Sequence, residues 1–407
     1  MNKENQKLSV RWAYMVIGVT AMLFAGVLYA WSILKHPLAV EFGWEPSVLA
    51  FNFTLAMTFF CVGGLLGAQL SRRTNHRFAL TLAGILTLTG FVLTSVLNNV
   101  SVIALYITYG VLAGLGIGIA YNVVIATVSA WFPDKKGLCS GCLMMGFGAS
   151  ALILGNVADA LFKSDMGWRM TYAILGIAIF AVLLSAALLI KLPGADVVFP
   201  KAESAKNSKE KDDNKKEFSS GQMLCRLSFW MAFVCISFLA AVGSSVISFA
   251  KDMALSVNAS EALAVSLVGV LSVCNGIGRI LTGAIFDVIG RRRTMLAANI
   301  FTICATLVTL LAVHFGSLSL CIIGLCLTGI SYGACPTITA AFTSSFFGMK
   351  NFPNNMAIMT FTVMAGSLIA TASNKVLEIT GGYTATFVML LLLTFVALVL
   401  NLFIRKP

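Results

Sequence analysis

The chain has 407 residues, of which 58% are hydrophobic and only 11% charged. With a mean hydropathy of +0.91, this excludes a soluble globular domain and leaves an all-α polytopic membrane protein embedded in the lipid bilayer. The formal net charge of +12 does not mark a nucleic-acid partner, because the basic residues are dispersed between apolar runs.

A helix needs about 20 apolar residues to cross a bilayer. Twelve such runs occur, over residues 12–34, 47–70, 77–97, 101–129, 137–161, 168–191, 229–250, 261–285, 293–314, 318–343, 354–376 and 382–404. The first is too long for the apolar core of a signal peptide and lacks a small-residue cleavage site, so it reads as a retained helix. Span four holds Gly110, Gly114, Gly116 and Gly118, and span five holds Gly137, Gly141, Gly146 and Gly148. This series reads as close packing of those two helices. Cys139 and Cys142 form a CxxC pair, but the chain has three histidines and no second ligand pair, so no metal site and no cofactor are expected.

Between the sixth and seventh runs lies LPGADVVFPKAESAKNSKEKDDNKKEF, too polar to build a core. The expected organisation is a six-helix bundle over 1–191, a charged cytosolic linker over 192–228 with room for a short interfacial helix, and a second six-helix bundle over 229–407. Pro336 reads as a kink in span ten, and Pro353 as the opening of span eleven.

Lysine and arginine placement orients the chain. With the N-terminus in the cytosol, the inner segments carry 22 basic residues, and the outer loops carry five (Lys35, Lys163, Arg169, Lys251 and Lys375). Without the long linker the split is still 14 to five. Both termini are therefore expected on the cytosolic side of the cell membrane.

The remaining basic residue is Arg279, inside the eighth run and in the stretch GVLSVCNGIGRILTGAIFDVIGRRR over residues 269–293. A guanidinium at such a position costs roughly 2.5–3.5 kcal/mol on insertion scales and is a functional-site candidate by default. The alternative is snorkelling toward Asp287, eight residues on and about 12 Å along the axis. Asn275 and Gly276 share the face of Arg279 one turn back. A lone arginine beside an amide suits a carboxylate, which accepts a bidentate fork.

The loop after span eight, Gly283-x3-Asp287-x2-Gly290-Arg291-Arg292, resembles the signature of the major facilitator superfamily. A weaker copy, GAQLSRRTNHR, stands between spans two and three, with Ser71 and Asn75 in place of the Asp and Gly. A finer resemblance, to the oxalate:formate antiporter and monocarboxylate transporter group, runs through GVLYAWSILKHPL, WFPDKKGLCSG, Phe229-Trp230 and NGIGR. The resemblance implies two six-helix bundles with a substrate site at the midplane, lined by spans one, four, seven and ten. It implies Arg279, Asn275, Tyr29, Tyr121, Asn122 and Tyr332 as substrate contacts, and Asp287, Gly290, Arg291 and Arg292 as a latch between helix ends. For each aromatic, ordinary packing is the alternative reading.

Two departures shape the expected function. The oxalate exchanger carries a lysine in span eleven where this chain has Val363, leaving a single buried cation. That favours a small monocarboxylate such as lactate, pyruvate or formate over a dicarboxylate. Animal monocarboxylate transporters carry an Asp four residues before the arginine, where this chain has Asn275, which does not titrate. Asp159 late in span five is then the candidate for proton coupling, with proton symport and anion exchange both open. A drug or metabolite exporter on the same fold and a carboxylate sensor signalling through the linker are the alternatives. No His-based triad or phosphate loop points to an enzyme, and a monomer is expected.

Overall fold

The computed structural model describes residues 3–98, 101–132, 136–194, 197, 217–289, 291–348 and 351–404. Among the described residues, twelve helices are long and apolar enough to span a membrane. In chain order, spans 1 to 12 are Val10–Phe42, Pro46–Ser71, His76–Ser95, Val102–Ser129, Gly141–Phe162, Gly167–Leu189, Leu227–Ser256, Glu261–Phe286, Arg292–Phe315, Leu318–Phe347, Asn354–Thr380 and Tyr383–Phe403. Lipid offers backbone amides no partner, so each crossing satisfies its own hydrogen bonds as a helix. An even number of crossings returns the chain to the face where it began, called the termini face below.

Spans 1–6 pack into one bundle and spans 7–12 into another, and the two meet along spans 5 and 8 and along spans 2 and 11. Both contacts are close. A Cβ on Gly148 of span 5 would sit 2.5 Å from the Ser272 carbonyl of span 8, and one on Gly269 of span 8 would overlap Leu152 of span 5. On the other side of the molecule, Thr54 of span 2 reaches Thr371 of span 11 at 2.8 Å.

The glycine series packs differently from the sequence expectation. In span 4, Gly110, Gly114 and Gly118 face span 2, and Gly116 faces span 3. In span 5, Gly146 faces Val19 of span 1, while Gly141 and Gly148 face span 8. The small residues serve four separate interfaces and do not zip spans 4 and 5 together.

Several spans run further than hydropathy suggested, spans 1 and 7 by the most. Lys35 lies within span 1, Lys251 within span 7 and Lys375 within span 11, where each pairs with a carboxylate. Helix persists past these charges because a partner offsets them, and a scan for apolar length does not register a partner. Arg169 likewise falls inside the first turn of span 6 and donates to Glu41 at 2.7 Å.

Most of the linker expected over 192–228 lies outside the described residues, but its end is ordered by specific contacts. A short helix, Ser220–Leu224, is closed by a capping box between Ser219 and Gln222. Just before it, buried Phe218 donates its amide to the Phe347 carbonyl at 3.0 Å and accepts from Asn355 Nδ2 at 3.1 Å. The linker is thereby pinned to the end of span 10 and the start of span 11.

Candidate functional site

A cavity of about 750 Å³ lies between the bundles. Its wall includes Leu65 near the end of span 2, Ala126 near the end of span 4, Ala284 near the end of span 8 and Ala340 in the last third of span 10. It also includes Gly141 at the start of span 5 and Met356 at the start of span 11. All six positions lie toward the termini face, so the cavity opens there. The expectation that span 7 lines it is corrected, because no residue of Leu227–Ser256 is on the wall while spans 2, 5, 8 and 11 supply much of it.

Arg279 stands on this wall with 7% of its surface exposed. Its side chain crosses the bundle interface instead of running toward the membrane edge. Nη2 donates to the Tyr29 hydroxyl on span 1 and Nη1 to the Tyr121 hydroxyl on span 4, both at 3.4 Å. Nε donates to Asn275 Oδ1 at 3.2 Å. These acceptors are all neutral, and among the described residues no carboxylate pairs with Arg279. Long bonds to neutral oxygens leave a guanidinium, with its five N–H donors, well short of saturation.

The neighbours compound that surplus of donors. Tyr29 and Tyr121 each accept from Arg279, and Tyr332 accepts from Ser244 Oγ at 3.5 Å. Each phenol oxygen is thus approached by a donor, which leaves its own proton available. Asn275 spends its oxygen on Arg279, and its Nδ2 is buried without a partner. The pocket therefore presents a guanidinium and phenolic hydroxyls, with the Asn275 amide buried directly behind them, an arrangement complementary to a small anion with several acceptor oxygens.

Each of these side chains is placed by a close contact behind it. Tyr29 sits in a 3-10 turn, Gly26–Ala30, that interrupts span 1. Its ring meets the Phe147 edge at 5.1 Å, and Phe147 meets Tyr121 at 5.1 Å, so one phenylalanine of span 5 props both rings. The Tyr332 ring lies directly on Gly243 of span 7, where any Cβ would overlap it. Gly333 of span 10 presses on the Asn275 carbonyl and would put a Cβ 3.1 Å from the Arg279 amide. That bare contact fixes the backbone of span 8 where the guanidinium departs.

Of the residues singled out in the sequence, Arg279, Tyr29, Tyr121, Asn122 and Tyr332 all line the cavity, with Asn275 directly behind. Val363 is also on the wall. Asp159 is not; it is 8% exposed at the far face, paired with two lysines. Of the latch residues, Gly290 and the side chains of Asp287 and Arg291 lie outside the described residues, and Arg292 is exposed at the start of span 9. Phe60, Phe147, Met57 and Thr360 line the cavity without having been singled out. No sequence signal separated them from other apolar or hydroxyl residues in membrane spans.

Comparison with known proteins agrees with this architecture. The family described as Major Facilitator Superfamily matches residues 13–249 and again 233–407. The chain is 28% identical to the oxalate:formate antiporter of Oxalobacter formigenes over 410 residues, 98% of this chain and 92% of that protein. It is 26% identical to monocarboxylate transporter 12 of Homo sapiens over 345 residues, covering 80% and 66%. Among solved structures, the partially occluded inward-open xylose transporter XylE from E. coli shares the fold, with a TM-score of 0.70 at 14% identity over 98% of this chain and 99% of that one. Twelve spans in two bundles around a central cavity, together with a family match along nearly the whole length, make this chain a member of the Major Facilitator Superfamily, a multi-pass secondary transporter of a small solute and not an enzyme.

Proposed function

We propose that the chain carries a small monocarboxylate, such as lactate, pyruvate or formate, by alternating access, with Arg279 as the anchor for the anion. One observation carries the reading: among the described residues, Arg279 is the only charged side chain on the cavity wall, and neutral oxygens alone engage it. One buried cation balances one carboxylate, and a second negative charge would stand unpaired at a cost of several kcal/mol. With both termini in the cytosol, as the lysine and arginine distribution favours, the cavity described above faces inward.

The names of the relatives point to carboxylates as the solute class. The first of them favours a second reading, exchange of oxalate for formate. Against it stands Val363, an apolar residue on the wall at the position where the resemblance leads one to look for a second cation. Asn275 does not titrate, so a proton would travel with the acid itself or not at all.

The test is flux into proteoliposomes holding the full-length protein. Labelled lactate, pyruvate, formate and oxalate are offered either under an inward proton gradient or against the same solute preloaded inside. The monocarboxylates are expected to move and oxalate to move poorly. Flux driven by the gradient identifies symport, and flux requiring preloaded solute identifies exchange. Absence of flux for every short carboxylate in both arrangements overturns the assignment. Transport of neutral compounds that survives Arg279→Gln assigns an exporter instead.

A further inference from the structure

Beyond the cavity, toward the face away from the termini, the two bundles are closed by charge. Lys251 of span 7 is 1% exposed. Its carboxylate partner is Asp159 of span 5, in the opposite bundle, with Nζ to Oδ1 at 3.4 Å. Asp159 turns its other oxygen to Lys163 at 2.9 Å, and Lys163 crosses to Glu261 at the head of span 8, also at 2.9 Å. The two carboxylates sharing Lys163 hold its ammonium above the ordinary lysine range. The next residue on span 7, Asp252, takes Lys35 of span 1 at 2.9 Å, an ammonium that is 4% exposed. Neighbouring residues of one helix tip thus hold opposite charges toward two helices of the other bundle.

The backbone beneath these tips departs from the α-helix. Span 1 passes through its 3-10 turn at Gly26–Ala30, a few residues before Lys35. Span 7 has φ −131° and ψ 16° at Phe249, two residues before Lys251. The charged tips can therefore move without the whole of each span following.

We propose that the Asp159–Lys251 pair is the lock of the outer gate. A pair within one bundle would favour inward-open and outward-open states alike. This one spans the bundles and exists only while the outer side is shut. Shut, each buried charge needs the other; parted, each regains water. The strength of the pair therefore sets the balance between the two states, whatever solute the cavity takes, so this inference does not depend on the carboxylate assignment. Removing one partner strands the other in a dry gate, which destabilises the shut state more than removing both does. A one-sided cut should open the gate, and a two-sided apolar replacement should let it close.

Amide hydrogen exchange on the full-length protein in nanodiscs tests this. In Asp159→Asn, exchange over residues 246–256 is expected to rise by about tenfold, while exchange over 356–363, at the inner cavity wall, falls. The opposite signs at the two faces identify a shift between states; general loosening raises exchange at both. Lys251→Met leaves Asp159 its bond to Lys163, so it is the milder cut and should move both regions the same way by roughly two- to threefold. It also serves as the probe if Asp159→Asn does not fold. Asp159→Leu combined with Lys251→Met should return both regions to the wild-type pattern. Unchanged exchange in the folded single variants, a rise at both faces, or a double variant that behaves like Asp159→Asn overturns the proposal.

Discussion

The two ends of the central passage handle charge in opposite ways. In the cavity a single guanidinium is surrounded by phenols and amides, none able to neutralise it. At the far face Lys35, Lys163 and Lys251 each meet a carboxylate of the other bundle or share one with it. Both arrangements bury cations, Arg279 in the one and Lys35 and Lys251 in the other, and burial is expensive in both. A cation left without a counter-charge is stable only if something else supplies one at intervals, which suits a site that fills and empties. A cation matched by a fixed carboxylate needs nothing further and suits a contact that holds.

The contrast breaks most severely if the lone charge changes shape. Arg279→Lys keeps the charge but loses the planar fork and its reach to two hydroxyls. Solute flux in proteoliposomes should drop by about 2–3 kcal/mol of interaction, ~30- to 150-fold. Near-normal flux would remove the anchor from the scheme. Adding a second charge sharpens the contrast in the other direction. Val363→Lys should turn the pocket toward dicarboxylates, read as oxalate overtaking lactate in competition, and unchanged selectivity would discredit charge matching.

Smaller effects follow from the supports. Gly333→Ala puts a methyl against the Asn275 carbonyl and the Arg279 amide. Overpacking of this kind costs about 1–3 kcal/mol, expected as a lowered melting temperature with reduced flux. Tyr121→Phe removes one hydroxyl and keeps the ring, so KM should rise by roughly fivefold, about 1 kcal/mol, with little change in expression. Glu45→Gln should do almost nothing. Its partner Lys375 is 3.6 Å away and both side chains are more than half exposed, a setting in which an ion pair contributes about 0–1 kcal/mol.

The same contrast explains which parts of the molecule were legible in its sequence. Arg279 could be found because a charge interrupting an apolar run is conspicuous without any knowledge of its surroundings. Tyr29, Tyr121 and Tyr332 came from resemblance, and the hydroxyl bonds give that placement a geometry. Phe60 and Phe147 stayed hidden, since a phenylalanine facing a cavity and one facing lipid have identical neighbours in sequence. The gate was hidden for another reason. Lys35 and Lys251 looked like loop markers because a hydropathy scan counts a charge and stops there. What cancels Lys251 lies 92 positions away. Span 7 was expected on the cavity wall, and its contribution proved indirect, through Gly243 behind Tyr332. An asymmetry of that kind depends on how helices rotate against one another, which the apolar pattern of a fully buried span does not encode.

Span 7 backs the ring of Tyr332, a residue of span 10, with Gly243 and contributes Lys251 of the proposed lock nearer its end, with the irregular backbone of Phe249 between the two. That joint allows the charged tip to turn while Gly243 stays seated against the ring. On the proposed scheme, a solute held at Arg279 need not be jostled when the far side unlatches, so release on one face and admission on the other can be timed separately along a single rod.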